Sequence, residues 1–215
     1  MSKGMRGGLA GILAGAVALG GADLPPPLPL PVPRTAGGKP LLQALKLRAT
    51  ARAFAPDPLP EALLSDLLWA ACGVNRPAEG KRTAPSARNW QEVDVYVVMA
   101  RGAYRYDAPA HRLKPVASGD HRAATGRQDF VAEAPLTLVL VADRARMTGA
   151  PAESVEAYAW ADAAFIAQNI SLFCVSEGLA TGVRASLDRA TLANVLGLSP
   201  TQSVAFALTV GFPRR

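Results

Sequence analysis

The residues of this chain best suited to chemistry are cations. Arg48 and Arg52 stand four positions apart with the Thr50 hydroxyl between them, and on a helical turn that spacing puts both guanidinium groups on one face. A guanidinium is planar, permanently charged and able to donate two parallel hydrogen bonds, so a converging pair suits a phosphate. The same residues also read as a solvated basic helix end, and spacing alone leaves both readings open. Other chemistries lack parts. The chain holds two histidines, His111 and His121, and two cysteines, Cys72 and Cys174, in no metal-ligand spacing. A zinc site or a Ser-His-Asp triad has little to be built from, and both cysteines lie in apolar, helix-like contexts that suit small buried hydrophobes.

With 215 residues, half of them hydrophobic, the chain can bury one core of ordinary size with appendages. Its net charge of +6 is scattered, with no run of five like charges, which argues against a nucleic-acid footprint. Residues 1–22 read as a targeting segment: Lys3 and Arg6 precede an uncharged stretch, Gly7 to Gly21, that ends in small residues. A cleaved signal peptide is expected, with an uncleaved anchor as the alternative, so the protein is expected to be exported, periplasmic or membrane-anchored. Residues 23–40 carry prolines at 25, 26, 27, 29, 31, 33 and 40, the composition of a polyproline II linker.

The pattern turns globular at Leu41. Leu41, Leu42, Leu45 and Leu47 predict a short amphipathic helix, and Leu59 to Cys72 another, opened by Pro60 and closed by Gly73. Asn75 to Arg88 reads as a loop. Val93 to Met99 alternates as a strand does, Gly102 marks a turn, and Tyr104 to Pro115 extends a hairpin. Ala134 to Asp143 is a continuous apolar run suited to a central strand, and Ser154 to Glu177 is a long helix stopped by Gly178. A short helix, Thr191 to Leu196, and a last strand, Val204 to Gly211, complete an α+β sandwich whose mixed sheet is covered by helices.

Three segments in this order resemble the nitroreductase family: RATARAF at Arg48 to Phe54, APSARNWQ at Ala84 to Gln91, and QNISLFCVSEGLATGV at Gln168 to Val183. LLWAACGVNRP, YRYDAPAHRL, Gly119-Asp120 followed by Arg122, and the terminal VGFP are similar to a short subgroup and to the dehydrogenases that oxidise azoline rings in modified peptides. The resemblance covers residues 41–215 and implies an FMN-binding domain, with a mainly antiparallel sheet flanked by helices, working as a homodimer with FMN at the interface. It implies ping-pong hydride transfer through flavin N5, from NAD(P)H, a quinol or a redox partner to a small organic acceptor, with no catalytic side chain and no metal. Arg48, Ala49 and Thr50 would hold the ribityl phosphate, with Arg214 reaching it from the last strand. Arg52 and Gln128 would face the pyrimidine ring, where a cation favours the reduced flavin. Pro85, Ser86, Ala87 and Asn89 would cover the ring from the other subunit, and the backbone of Gly182, Val183 and Arg184 would pass N5. Arg184 and Ala185 depart from the proline and acidic neighbours of well-known members. Trp160, Phe165, Ile166, Leu172 and Phe173 are the candidate dimer contacts, with ordinary core packing the alternative for at least half of them. A non-catalytic flavin-binding or partner-binding protein of the same fold is the alternative.

Overall fold

The computed structural model describes Met1 and residues 24–214. Apart from Met1, the targeting segment expected at residues 1–22 lies outside the described residues, as does the terminal Arg215.

The core is a seven-stranded sheet in the order β1-β6-β5-β4-β7-β9-β8. The strands are β1 (Leu28–Pro29), β4 (Val93–Met99), β5 (Gly102–Asp107), β6 (Arg112–Ser118), β7 (Leu136–Asp143), β8 (Ala180–Arg184) and β9 (Gln202–Gly211). Every described pairing in it is antiparallel. Two helices, α2 (Glu61–Cys72) and α4 (Val155–Ser176), pack on one face, where they meet Val95, Val97, Leu138 and Leu140. On the other face α5 (Arg189–Leu196) covers Tyr96, Val98, Val139 and Val141. Successive strand residues point to opposite faces, so a sheet covered on both sides needs the unbroken apolar run of β7, which is buried from Leu136 to Ala142. The expected α+β sandwich is thus present.

Local chemistry sets the helix ends. After α4, Gly178 takes a left-handed φ of +76°, Leu179 N–H reaches the Cys174 carbonyl at 2.7 Å and Gly178 N–H the Val175 carbonyl at 3.4 Å, the paired bonds of a Schellman stop. Gly73 ends α2 for another reason: a Cβ there would lie 2.5 Å from the Trp69 ring. Both cysteines are free and buried, as their apolar contexts predict.

Several expectations are corrected. The first helix, α1 (Leu41–Leu47), stops at its leucines, so Arg48 and Arg52 do not share a helical turn. The main chain leaves the helix because Ala51 N–H is spent on the Thr181 carbonyl of β8 at 2.9 Å. Gly102 follows the expected turn, at residues 100–101, and begins β5, whereas the loop at 75–88 contains a small hairpin, β2 (Val74–Arg76) with β3 (Lys81–Arg82). Ile166 is core, not surface, and Trp160 packs edge-on against Phe206. The proline-rich segment is extended but lies along the domain. Leu28 and Pro29 pair with β6 at the sheet edge, where a residue without an N–H is tolerated. Ser65 Oγ donates to the Pro31 carbonyl, Arg34 N–H to Asp66, and Lys39 N–H to Ser176 Oγ.

One core element is kept at a cost. Glu92, just before β4, is fully buried and its carboxyl oxygens have no hydrogen-bond partner among the described residues. Burial, opposed by the residue's own main-chain amide and by Arg146 and reinforced by the Asp162 carboxylate of α4, pushes the Glu92 carboxyl up to about 7. Between its ordinary value near 4.5 and 7 the folded state keeps a proton that the unfolded chain has released, so stability falls as pH rises through that window. In urea denaturation at pH 5 and pH 8, Glu92→Gln is expected to flatten this slope and to be more stable than the native chain at pH 8; an unchanged slope refutes the assignment.

Candidate functional site

The free edge of β8 gathers two of the three signature segments. Thr181 directs its carbonyl off the edge to accept Ala51 N–H, and further along Ala55 N–H reaches the Phe212 carbonyl at 2.9 Å while Phe54 bridges Pro213. Residues 51–55 are thereby stitched along the end of the sheet. The approach is close because position 182 is glycine: a Cβ there would lie 2.5 Å from the Ala51 carbonyl oxygen and 3.6 Å from Thr50 Cγ2. In a strand, N–H and C=O of one residue point to the same side and alternate along the chain. With Thr181 pointing outward, Val183 also directs its N–H off the edge, where the sheet ends.

Arg48, Ala49, Thr50, Arg52 and Val183 are exposed here, and neither Arg48 nor Arg52 has an ion-pair partner among the described residues. The site is therefore an open, cationic shelf. Gln128 is exposed in the turn before α3 (Phe130–Glu133), two residues from Gly126, and Gly126 packs against the Arg184 guanidinium. Arg214 stands at the end of β9 in an exposed ion pair with Glu133 at 2.9 Å.

Arg184 behaves differently from the other cations. Its residue is 9% exposed, and Nε, Nη1 and Nη2 have no hydrogen-bond partner among the described residues. The guanidinium lies over the Phe130 ring at 5.5 Å, and Phe130 in turn packs on Phe54. Burial lowers its pKa to about 10, so it stays charged at neutral pH.

The third segment lies elsewhere. Pro85, Ser86, Ala87 and Asn89 form the approach to β4, with Ala87 N–H held by Asp162 of α4 at 2.8 Å and Gln91 N–H by Ser86 Oγ at 2.9 Å. Arg88, Asn89 and Gln91 have φ of 50°, 56° and 50°, a conformation that costs side-chain-bearing residues of order 1 kcal/mol each and clusters at functional loops. Val93 is level with Ala142 and Ser203, whereas Val183 is level with Leu208. At ordinary strand dimensions the loop therefore begins about 17 Å along and about 14 Å across the sheet from the β8 shelf. One chain does not cover its own shelf with this loop.

Sequence reasoning missed three participants. The Arg184 side chain was legible only as a lone cation in an apolar strand, Asp162 only as a lone acid on an alanine-rich helix. The Phe54–Phe130 contact joins residues far apart in sequence and left no local signal.

Residues 45–212 match the sequence model of the Nitroreductase family. A crystal structure of a candidate nitroreductase from Ralstonia eutropha superposes with a TM-score of 0.84 at 42% identity, covering 88% of this chain and 90% of that one. The same fold, at identities that speak for the fold alone, is found in two further structures. One is a candidate nitroreductase from Desulfovibrio desulfuricans solved in complex with FMN, with a TM-score of 0.61, 22% identity and coverage of 83% and 89%. The other is the Escherichia coli microcin synthetase McbBCD complex with its truncated precursor bound, with a TM-score of 0.70, 17% identity and coverage of 78% and 70%. With residues 45–212 matched by the family model and two of its three signature segments meeting at the β8 edge, this chain belongs to the nitroreductase family.

Proposed function

We propose that this oxidoreductase of the nitroreductase family binds FMN on the β8 shelf and works as a homodimer. The observation that carries the reading is the shelf itself: a glycine that admits the 50–51 main chain, an outward amide at Val183 and unpaired arginines at 48 and 52. These donors fit the groups of FMN. Arg48, with Ala49, Thr50 and Arg214, would hold the phosphate by charge-assisted hydrogen bonds. Arg52 and Gln128 would meet the polar pyrimidine edge, and the Val183 amide, between Gly182 and Arg184, is the backbone donor for N5. When bound, FMN supplies hydride transfer through N5, alternately from NAD(P)H or another donor and to a small organic acceptor. The protein's part is to fix the ring, tune its charge and keep one face accessible.

The offset of about 17 Å supports a second subunit: Pro85, Ser86, Ala87 and Asn89 of one subunit would cover the shelf of the other. The surface that would join them is apolar. Along α4, Ala157, Tyr158, Ala161, Ala164 and Phe165 are exposed at helical spacing, and Leu41, Leu42, Leu45 and Leu47 are exposed on α1, which packs on α4. A contiguous apolar face of this kind marks an interface. Export or anchoring through residues 1–22 is part of the proposal, and a quinol or partner protein would then replace NAD(P)H as donor.

The purified full chain is expected to show flavin absorbance that bleaches on anaerobic addition of NADH or NADPH; bands that persist redirect the donor to quinols, and a colourless dimer that refuses added FMN overturns the enzyme reading in favour of a binding protein. Gly182→Ala is expected to push the 50–51 main chain from β8 and weaken FMN binding at least tenfold, read by flavin fluorescence, with the far-ultraviolet circular dichroism unchanged. Phe165→Glu is expected to yield monomers by light scattering and to lose FMN with them; a monomer that keeps its flavin refutes the shared site.

A further inference from the structure

A buried cation without a counter-charge is expensive even after relaxation, and native structures rarely leave such a group unexplained. Arg184 is that group. All three guanidinium nitrogens are sealed and unpartnered among the described residues, and no carboxylate contributes to its pKa, which burial alone lowers. Its surroundings leave room for it: a Cβ on Gly126 would collide with Nη1, and the Phe130 ring lies against the guanidinium, a weak attraction that does not replace an anion. Glu133, on the same short helix as Phe130, is engaged by Arg214 instead. The neighbours that are exposed, Val183 in the chain and Gln128 two residues from Gly126, are those assigned above to the N5 and pyrimidine side of the flavin.

We propose that Arg184 is held unpaired as the counter-charge for the negative charge that appears on the flavin pyrimidine on reduction, so that it favours the reduced over the oxidised cofactor. The inference rests on the FMN reading above. The balance is simple: a hydride from NAD(P)H, or two electrons and a proton from dithionite in water, goes to N5, and the ring system gains one negative charge. Arg184 takes no proton and loses none; it supplies a fixed positive charge in a site of low dielectric.

The test compares the native full chain with Arg184→Met and Arg184→Lys, each reconstituted with FMN. Arg184→Met is expected to weaken binding of reduced FMN at least tenfold more than binding of oxidised FMN, which moves the two-electron midpoint potential negative by about 30 mV or more; Arg184→Lys restores most of the shift. Without FMN, Arg184→Met is expected to melt no lower than the native chain, because an uncompensated buried charge has been removed. Equal weakening of both redox forms, with the potential unchanged, overturns the proposal and assigns Arg184 to the phosphate. A flavin-free Arg184→Met protein that loses stability or dissociates also overturns it, because the counter-charge then belongs to a second copy of the chain. If the native chain binds no FMN, the functional reading fails with it; if the native chain binds FMN and Arg184→Met matches it in both redox forms, only this inference fails.

Discussion

The approach of the Thr50–Ala51 main chain to Gly182 is the contact on which the site depends. It takes one hydrogen bond, Ala51 to Thr181, and the absence of one Cβ. Because of it the chain after α1 cannot continue as helix, Arg48 and Arg52 fall beside an edge strand, and Phe54 is drawn against the end of β9. Phe54 then supports Phe130, and Phe130 supports the Arg184 guanidinium. A sequence of small packing decisions thus leads from a glycine to a buried charge, each made by residues with no chemistry of their own.

The rest of the sheet separates functions by distance. β7 and β9, buried on both faces, form the stiff middle, while the strained loop at Arg88 to Gln91 is fixed at one end by Asp162 and the shelf lies at the other. On the proposed dimer this separation becomes useful: each subunit offers a cationic floor and a rigid cover to different sites, and neither is complete alone. The left-handed residues of the loop are tolerated because Asp162 and Ser86 fix its main chain.

The elements whose pattern matches their burial were legible in the sequence. Val93–Met99 alternates in β-branched residues, β7 is an unbroken apolar run, and α4 ends at a glycine whose φ requires one. Elements fixed by tertiary bonds were not. β8 is five residues with a glycine in the middle, and only its pairing with β9 makes it a strand. Arg48 and Arg52 stood out as candidate site residues by their spacing and the family resemblance, whereas their helical geometry was misread because the bond that ends the helix comes from residue 181. The docking of the proline-rich segment escaped for the same reason: composition predicts an extended chain, but its partners, Ser65, Asp66, His111 and Ser176, are scattered along the sequence.

That segment also sets a direction. β1 and β8 are the two opposite edges of a seven-stranded sheet, so six strand spacings, roughly 29 Å, separate the point where residues preceding Leu24 join the body from the shelf. Pairing with β6 at Leu28 and Pro29, and bonds from Pro31, Arg34 and Lys39 to α2 and α4, fix the strap along this edge. A partner or surface that engaged the proline edge would therefore leave the β8 edge facing away from it. The strap acts less as a tether than as a compass.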